Sequence, residues 1–466
     1  MRAREVGIRI QPGVSARGSQ DRMRGQISVH PVHPRWRARS SHGSLCGHPV
    51  FLKQRHRFGI VSPVVPVEEA QAIILQSVAP VGEETVPLAE ALGRVLRQPI
   101  RADMDLPPFD RAMMDGYAVR AEDTARAPVR LRVVGEVLAG MTFSGPIAPG
   151  EAVKIMTGAA VPSGANAVER VEKTEREGEW VILREPVSVG QHITRRGSQA
   201  REGEIVLEPG IRLGPAEIAV LASFGYATVR VARRLTLGVL STGSELVDVG
   251  ARPSPVQIRD SNSPTLRACL TMAGVGAHPL GIVADDLSEI ESSIRSALER
   301  FDGLLITGGV SMGEADLVKV ALRQIGARLL FERVRLHPGK PFCFALFEGK
   351  PVFALPGNPV SVVVTFLLFV LPALRRMLGY REAHLPLLEA TMTEEARHSP
   401  ERRSYLPAFV WFAEGRAFVR RVPWEGSSDL VGFARANALL IVPEGVASVK
   451  AGERARVLLL PWGGSP

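Results

Sequence analysis

Apolar positions follow two rhythms along the chain, and the change between them divides it. From Leu235 onward, short apolar runs alternate with helical spacing. Leu235 to Leu240, Gly303 to Ile306 and Pro351 to Leu355 read as buried strands. Leu287, Ile290, Ile294 and Leu298 recur at intervals of 3, 4 and 4, one face of a helix. Strands alternating with helices predict an α/β region, residues 234–383, built on a parallel, doubly wound sheet. Within it, Ser263-Pro264 predicts a helix start with a serine cap and proline in the first turn. Between Val129 and Ile193 the pattern shortens to alternating stretches such as Trp180 to Leu183, broken by Gly and Pro. That predicts a β-rich domain over 107–195. From His384 a similar grammar returns, with a hairpin at Glu414-Gly415, predicting a C-terminal β domain over 384–466.

The remaining pieces, 64–106 and 196–233, read as one linking domain. A helix begins at Pro66, with Glu68 and Glu69 where acids complement the helix dipole. Leu88, Leu92 and Val95 suggest a second helix, and Pro215 to Gly225 a third, before a strand from Thr228 to Val231. Leu106 to Arg120, rich in Pro, Asp and Gly, reads as a loop. The most apolar stretch, Val360 to Leu371, is broken by Thr365 and stopped by Pro372, too short for a membrane span.

Charge separates the first 59 residues from the rest. The chain carries a net +9, but residues 1–59 hold eleven Arg and one Lys against Glu5 and Asp21, a net of +10. The remainder is almost neutral, which removes the basic-surface argument for nucleic acid. Residues 1–63 read as a disordered basic tail. Their Arg- and Ser-rich, acid-poor composition resembles a transit peptide. Arg outnumbers Lys 50 to 7 across the chain, which favours GC-rich coding DNA translated upstream of the true start, with the fold beginning near Val64. Cys46, Cys269 and Cys343 stand far apart, outside any CxxC pattern, so a reducing, cytoplasmic setting is expected.

Three predicted strand ends carry glycine-bearing loops: Ser241 to Glu245, Thr307 to Ser311, and Pro356 to Pro359. Ligands of parallel sheets bind beyond the carboxyl ends of the strands, where glycine admits close backbone approach. Gly308, Gly309, Ser311, Pro356, Gly357 and Asn358 are therefore candidates for a phosphate-bearing ligand. The same edge is acidic. Asp286 and Glu314 sit at helix starts and read as caps, whereas Glu245, Asp285 and Asp316 are expected to hold a Mg²⁺ ion against phosphates. Arg333, His337 and Lys340 bring nearby positive charge.

Read together and in order, FD…MDGYAVR (Phe109 to Arg120), KIMTGAAVP (Lys154 to Pro162), STGSEL, DSNS (Asp260 to Ser263), GGVSMGEAD and PGKPF followed by LPGNPVS resemble the MoeA family. These are molybdopterin molybdenumtransferases, whose eukaryotic counterpart is the gephyrin E domain. The likeness spans residues 64–466. It implies a four-part, elongated protomer that forms a homodimer, with a MogA-like molybdopterin-binding α/β domain. The implied reaction takes adenylylated molybdopterin, with molybdate as substrate, cleaves the phosphoanhydride with Mg²⁺ and releases AMP. Implied partners are a MogA-type adenylyltransferase and apo-molybdoenzymes. By motif the catalytic set is Asp115, Glu245, Asp285, Asp316 and Lys340. Thr157, Arg333 (where the family often has Lys), Arg402 and Ser427 join the substrate contacts, with Asp115 and Thr157 closing the cleft from the partner subunit.

Two departures stand out. Arg111 and Ala112 replace an Asn-Ser pair. In Gln191 to Gln199, Thr194 replaces an Arg and Ser198-Gln199 replace Glu-Asp, with Arg195 or Arg196 as possible substitutes for the lost Arg. Loss of that acidic pair points to a weakly active or non-catalytic molybdopterin-binding scaffold, while retention of Glu245, Asp285, Asp316 and Lys340 points to the enzyme.

Overall fold

The computed structural model describes residues 64–309 and 316–463, all within one compact unit, Phe58–Pro466. Within it folds the α/β region. Its elements run β1 (Thr236–Thr242), α1 (Asn262–Met272), β2 (Gly276–Val283), α2 (Leu287–Arg300), β3 (Gly303–Thr307), α3 (Leu317–Gln324), β4 (Arg328–Phe331), β5 (Cys343–Phe347) and β6 (Lys350–Leu355). They form one six-stranded sheet in the order β2-β1-β3-β6-β5-β4. The expected all-parallel sheet needs correction. β2, β1, β3 and β6 are parallel, but β5 runs antiparallel to both β6 and β4. The short Glu348-Gly349 turn between β5 and β6 cannot hold a crossover helix, so those strands must pair as a hairpin.

Side chains alternate faces along β1. Leu237 and Val239 join one core and Leu240 the other, which includes Ile290, Ile294 and Leu298 of α2. Each of those three buried side chains contributes roughly 1.5–3 kcal/mol of burial. Asp286 caps α2 by accepting from the Glu289 N–H, as expected. α1 starts one residue before Ser263. Its first amides are satisfied by Asp260, which accepts from the Asn262 and Ser263 N–H groups, so Ser263 is not the cap.

Pro372 does not end the helix after β6. α4 runs from Pro359 to Leu378, long and apolar enough to cross a bilayer, yet 89% of its most apolar window is buried in this unit. It is a core helix. The chain passes Pro372 by widening to a π turn over Phe366–Val370, in which the Leu371 N–H donates to the Phe366 carbonyl. Pro372 has no N–H for the Leu368 carbonyl, and the Gln71 side chain donates to that oxygen instead, at 3.0 Å.

Residues 107–195 contain a six-stranded sheet in which Gly116–Val119 lies between Ala167–Arg170 and Glu151–Ile155. The loop expected from Leu106 to Arg120 therefore holds a fully buried strand. Gly116 permits it, since a Cβ there would meet the Glu169 carbonyl oxygen at 1.8 Å. The helix expected at Leu88, Leu92 and Val95 is also corrected. Glu83–Pro87 is a strand, only Leu88–Glu90 turn helically, and Leu92 is 61% exposed. Pro215–Ser223 is helical and Thr228–Ala232 a strand. After His384, strands Leu387–Met392, Arg403–Ala413, Arg416–Arg421, Ala438–Val442 and Arg454–Leu459 pair in a closed ring, a small barrel. Leu336–His337 adds alongside Arg403-Ser404. Glu414 and Gly415, both at positive φ, turn the expected hairpin.

Candidate active site

The ends of β1, β3 and β6 converge, and glycine makes the convergence possible. A Cβ on Gly308 would stand 2.0 Å from the Thr242 carbonyl oxygen, and one on Gly309 would stand 2.7 Å from Thr242 Oγ1. Gly357 approaches the Gly308 Cα in turn. Asn262 stitches two of the three turns together. Its Nδ2 donates to the Gly357 carbonyl at 2.7 Å and to Thr307 Oγ1 at 3.0 Å, while Thr307 Oγ1 donates to the Pro356 carbonyl. A carbonyl only accepts, so the group facing Gly357 must be the NH₂. Asp260 supports this from beneath, taking a 2.7 Å hydrogen bond from Ser241 Oγ. Thr242 Oγ1 and Asn262 Oδ1 are buried with no hydrogen-bond partner.

From this edge the site extends in two directions. On one side, Asp285 Oδ2 accepts from the Ser244 N–H at 3.2 Å, and Ser244 Oγ accepts from the Asp285 N–H at 3.1 Å. The Glu245 carboxylate folds over Gly243, within 3 Å of where a Cβ would be. Both carboxylates are exposed around one turn. On the other side, Asn358 Nδ2 donates to Ser427 Oγ at 2.8 Å and the Val360 N–H donates to the Ser427 carbonyl. That contact joins the Pro356–Asn358 turn to the segment carrying Trp424, whose ring meets His337 edge-on. The positive charge of Arg402 reaches His337 and, after burial, disfavours protonation of its ring. Lys340 and Arg333 lie on the same excursion, where the Val334 N–H donates to the Lys340 carbonyl.

Asp316 behaves differently from the other two acids. It caps α3 by accepting from the Lys319 N–H, and its Oδ2 pairs with Lys319 Nζ at 2.6 Å, both side chains buried. Burial pushes its carboxyl above the usual range despite Lys319. The expected three-carboxylate metal site is corrected accordingly. Among the described residues no three metal-ligating side chains come together. Glu245 and Asp285 fit a Mg²⁺ bound through one or two carboxylates with phosphate oxygens and water completing its shell. Ser311 and Glu314 lie outside the described residues.

Asp115 and Thr157 are brought together on the β-rich domain by neighbouring strands. Asp115 Oδ1 accepts from the Thr157 N–H and from Thr157 Oγ1, both at 2.7 Å. Those bonds, the backbone one first, hold its carboxyl below the usual range. Nearby, Arg195 Nη1 pairs with Asp110 at 2.5 Å and Arg196 Nε with Asp105 at 2.7 Å. Both arginines are thus spent in tying 195–202 to 105–110. Cys269 and Cys343 are buried, their thiols pushed up to about 12, and are inert.

Sequence reasoning passed over Asn262, Thr242 and Thr307 as site residues. Their signal was there: a polar residue closing an otherwise apolar strand, and an amide beside it. His398 and Arg421, close to His337, carried no comparable signal.

A MogA-like α/β domain joined to a β-rich domain and a barrel, with its polar edge at the strand ends, defines a multidomain molybdopterin-binding fold. Three family models match in sequence: MoeA N-terminal region (domain I and II) over residues 65–225, "Probable molybdopterin binding domain" over 238–376, and MoeA C-terminal region (domain IV) over 389–460. The chain belongs to the MoeA family. It is 35% identical over 404 residues to a molybdopterin molybdenumtransferase of Bacillus subtilis (strain 168), covering 85% of this chain and 94% of that protein. It is 32% identical over 399 residues to the one of Staphylococcus aureus (strain COL), covering 85% and 95%. A crystal structure of the molybdopterin biosynthesis MoeA protein from Pyrococcus horikoshii OT3 superposes with a TM-score of 0.74 at 33% identity, covering 85% of this chain and all of that one.

Proposed function

We propose that this protein is a molybdenumtransferase of molybdenum cofactor biosynthesis, which takes adenylylated molybdopterin, transfers molybdenum from molybdate to its dithiolene and releases AMP. The observation that carries the reading is the strand-end edge: glycine turns packed against one another, two exposed carboxylates beside the first turn, and the Asn358–Ser427 bond that ties the last turn to the barrel. The turns at Gly308-Gly309 and Gly357 let the backbone approach a diphosphate closely. Glu245 and Asp285 would hold Mg²⁺, which when bound supplies charge neutralisation at the phosphoanhydride. Lys340, Arg333 and Arg402 orient the molybdate dianion by charge and hydrogen bonding. Asn358 and Ser427 tie the strand-end edge to the barrel, the side from which the oxyanion would approach.

In this reading Asp115 and Thr157 reach the crevice of a second protomer, making a cytoplasmic homodimer the working form. A MogA-type adenylyltransferase supplies the adenylylated pterin and apo-molybdoenzymes accept the product. The test is AMP release from adenylylated molybdopterin with Mg²⁺ and molybdate varied independently. Release that needs both is expected. Tight pterin binding with no release at any molybdate concentration would overturn the enzyme in favour of a scaffold.

A further inference from the structure

The rim that carries Asp115 and Thr157 continues along a ribbon of three short segments. Residues 110–115 run between 157–161 and 190–194. Ala112 pairs with Ile193 and Arg111 with Thr194, while Arg111 also bridges to Ala160. Arg111 and Thr194, two of the positions at which the motifs depart, are thus cross-strand partners. Further backbone bonds zip the ribbon: the Ala112 N–H donates to the Ala159 carbonyl, the Gly158 N–H to the Ala112 carbonyl and the Val161 N–H to the Asp110 carbonyl. Asp115–Thr157 closes one end of it, and Arg111–Ala160 lies at the other. The outer segment is anchored at His192, which stands at a φ of 52° with Nδ1 2.9 Å from the Val168 carbonyl. A carbonyl only accepts, so Nδ1 carries the proton and donates.

Register fixes the side to which Arg111 points. Cross-strand partners share a face and successive residues alternate between faces. Ala112 and Ile193 are buried with Ala118 and Val153 of the six-stranded sheet. Arg111, Thr194 and Ala160 therefore share the opposite face, where all three are half-buried. Thr194 and Ala160 are too short to cover a guanidinium. Among the described residues, no ion pair or side-chain hydrogen bond engages Arg111. The acids on the converging segments 110–116, 157–161, 167–171 and 190–194 are all engaged without it. Asp110 accepts from Arg195 Nη1 and the Arg196 N–H, Asp115 from Thr157, and buried Glu169 from the Arg170 N–H and Gln191 Nε2. What remains is a planar fork of donors, matched to phosphate oxygens, on the ribbon that ends in Asp115.

The Thr157 bonds hold the Asp115 carboxyl low, so it is ionised at neutral pH. Bringing that carboxylate to a diphosphate sets like charges side by side, which is unfavourable without a cation between or beside them. We propose that Arg111 is a substrate-binding residue of the rim, gripping a phosphate of the adenylylated pterin and offsetting the charge that Asp115 brings there. The inference rests on the function proposed above, in which the rim reaches the crevice of a second protomer.

Steady-state AMP release and titration calorimetry, both on the full chain with Mg²⁺ and adenylylated molybdopterin, test it. Arg111→Gln should raise KM and Kd for the adenylylated pterin about tenfold or more, the scale of a lost hydrogen bond to a charged group, with kcat and the denaturant midpoint nearly unchanged. Arg111→Lys keeps the charge without the fork and should recover part of the loss. Adding Thr194→Arg to Arg111→Gln sets a guanidinium on the same face, one strand across, and should restore most of the affinity. A merely structural Arg111 would not be rescued in that way. Arg176→Gln removes the same charge from the far edge of the domain's sheet and should move neither constant. Unchanged KM and Kd in Arg111→Gln, or an equal rise in Arg176→Gln, overturns the proposal and leaves the function standing. A lowered denaturant midpoint with no rescue by Thr194→Arg overturns it too. A tenfold rise in Kd in a chain that releases no AMP supports the grip and overturns the enzyme. A wild-type chain that does not bind the adenylylated pterin overturns both.

Discussion

The strand-end edge of the α/β domain and the Asp115–Thr157 rim of the β-rich domain carry similar polar chemistry on opposite foundations. At the edge, Asn262 spans to residues 45 and 95 positions away, and glycines allow contacts with no slack. At the rim, one exposed carboxylate oxygen takes two hydrogen bonds from one threonine in the turn after a neighbouring strand. The first is part of the packing; the second rests on it. Changes at the edge should therefore alter stability and activity together, whereas changes at the rim should separate them.

The sharpest way to break this comparison is Gly308→Ala. The new Cβ would fall 2.0 Å from a backbone oxygen at a φ of +89°. Left-handed strain of roughly 1–2 kcal/mol adds to roughly 1–3 kcal/mol of overpacking. Denaturant unfolding should show a loss of several kcal/mol, and AMP release should vanish. Gly357→Ala is the internal control. Its Cβ has nothing nearer than 3.7 Å, so stability should stay within about 0.5 kcal/mol. Equal damage from both would mean that the turns are not packed as described.

Next comes Asp115→Asn. Asn keeps an oxygen to accept both Thr157 bonds but removes the charge. Stability should hold at neutral pH while AMP release falls about 10²-fold, the scale of a lost acid–base or electrostatic group. The carboxyl of Asp115 is held low, so its Thr157 bonds favour the fold above pH 3.8 and lose that effect as pH falls through the depressed value. Unchanged turnover would place Asp115 among ordinary turn residues. Asn262→Ala should show the edge behaviour again. Losing both donors strands the Gly357 carbonyl and should cost about 1–3 kcal/mol, with a parallel drop in AMP release. A variant that lost activity with no change in unfolding would contradict the stitching role.

The sequence made these regions legible to different degrees for physical reasons. The helix through Ile290 and Ile294 shows because one buried face imposes a 3.6-residue period. The strand Gly116–Val119 did not, because it is short, glycine-led and buried on both faces, which erases alternation. Pro372 misled because its missing hydrogen bond is supplied by Gln71, about 300 residues earlier, which no local window contains. The motifs located Glu245, Asp285 and Asp316 at neighbouring strand ends. They could not show that Lys319, one helical turn beyond Asp316, holds that carboxylate inward.

The smallest expected effect tests the altered rim. Gln199 is exposed; its backbone N–H donates to the Leu106 carbonyl, and the pairs Arg195–Asp110 and Arg196–Asp105 anchor the loop around it. Both arginines are thus engaged at this loop, and Gln199 stands beside them without a charge of its own. Gln199→Asp leaves the backbone bond intact and restores one carboxylate, so unfolding should shift by no more than about 0.5 kcal/mol. If the crevice turns over and the rim merely tunes it, molybdate-stimulated AMP release should rise a few-fold, read as kcat/KM for molybdate. A rate that stays at zero in both forms would mean that the rim is not what limits turnover, and would favour a chain that holds the pterin without converting it.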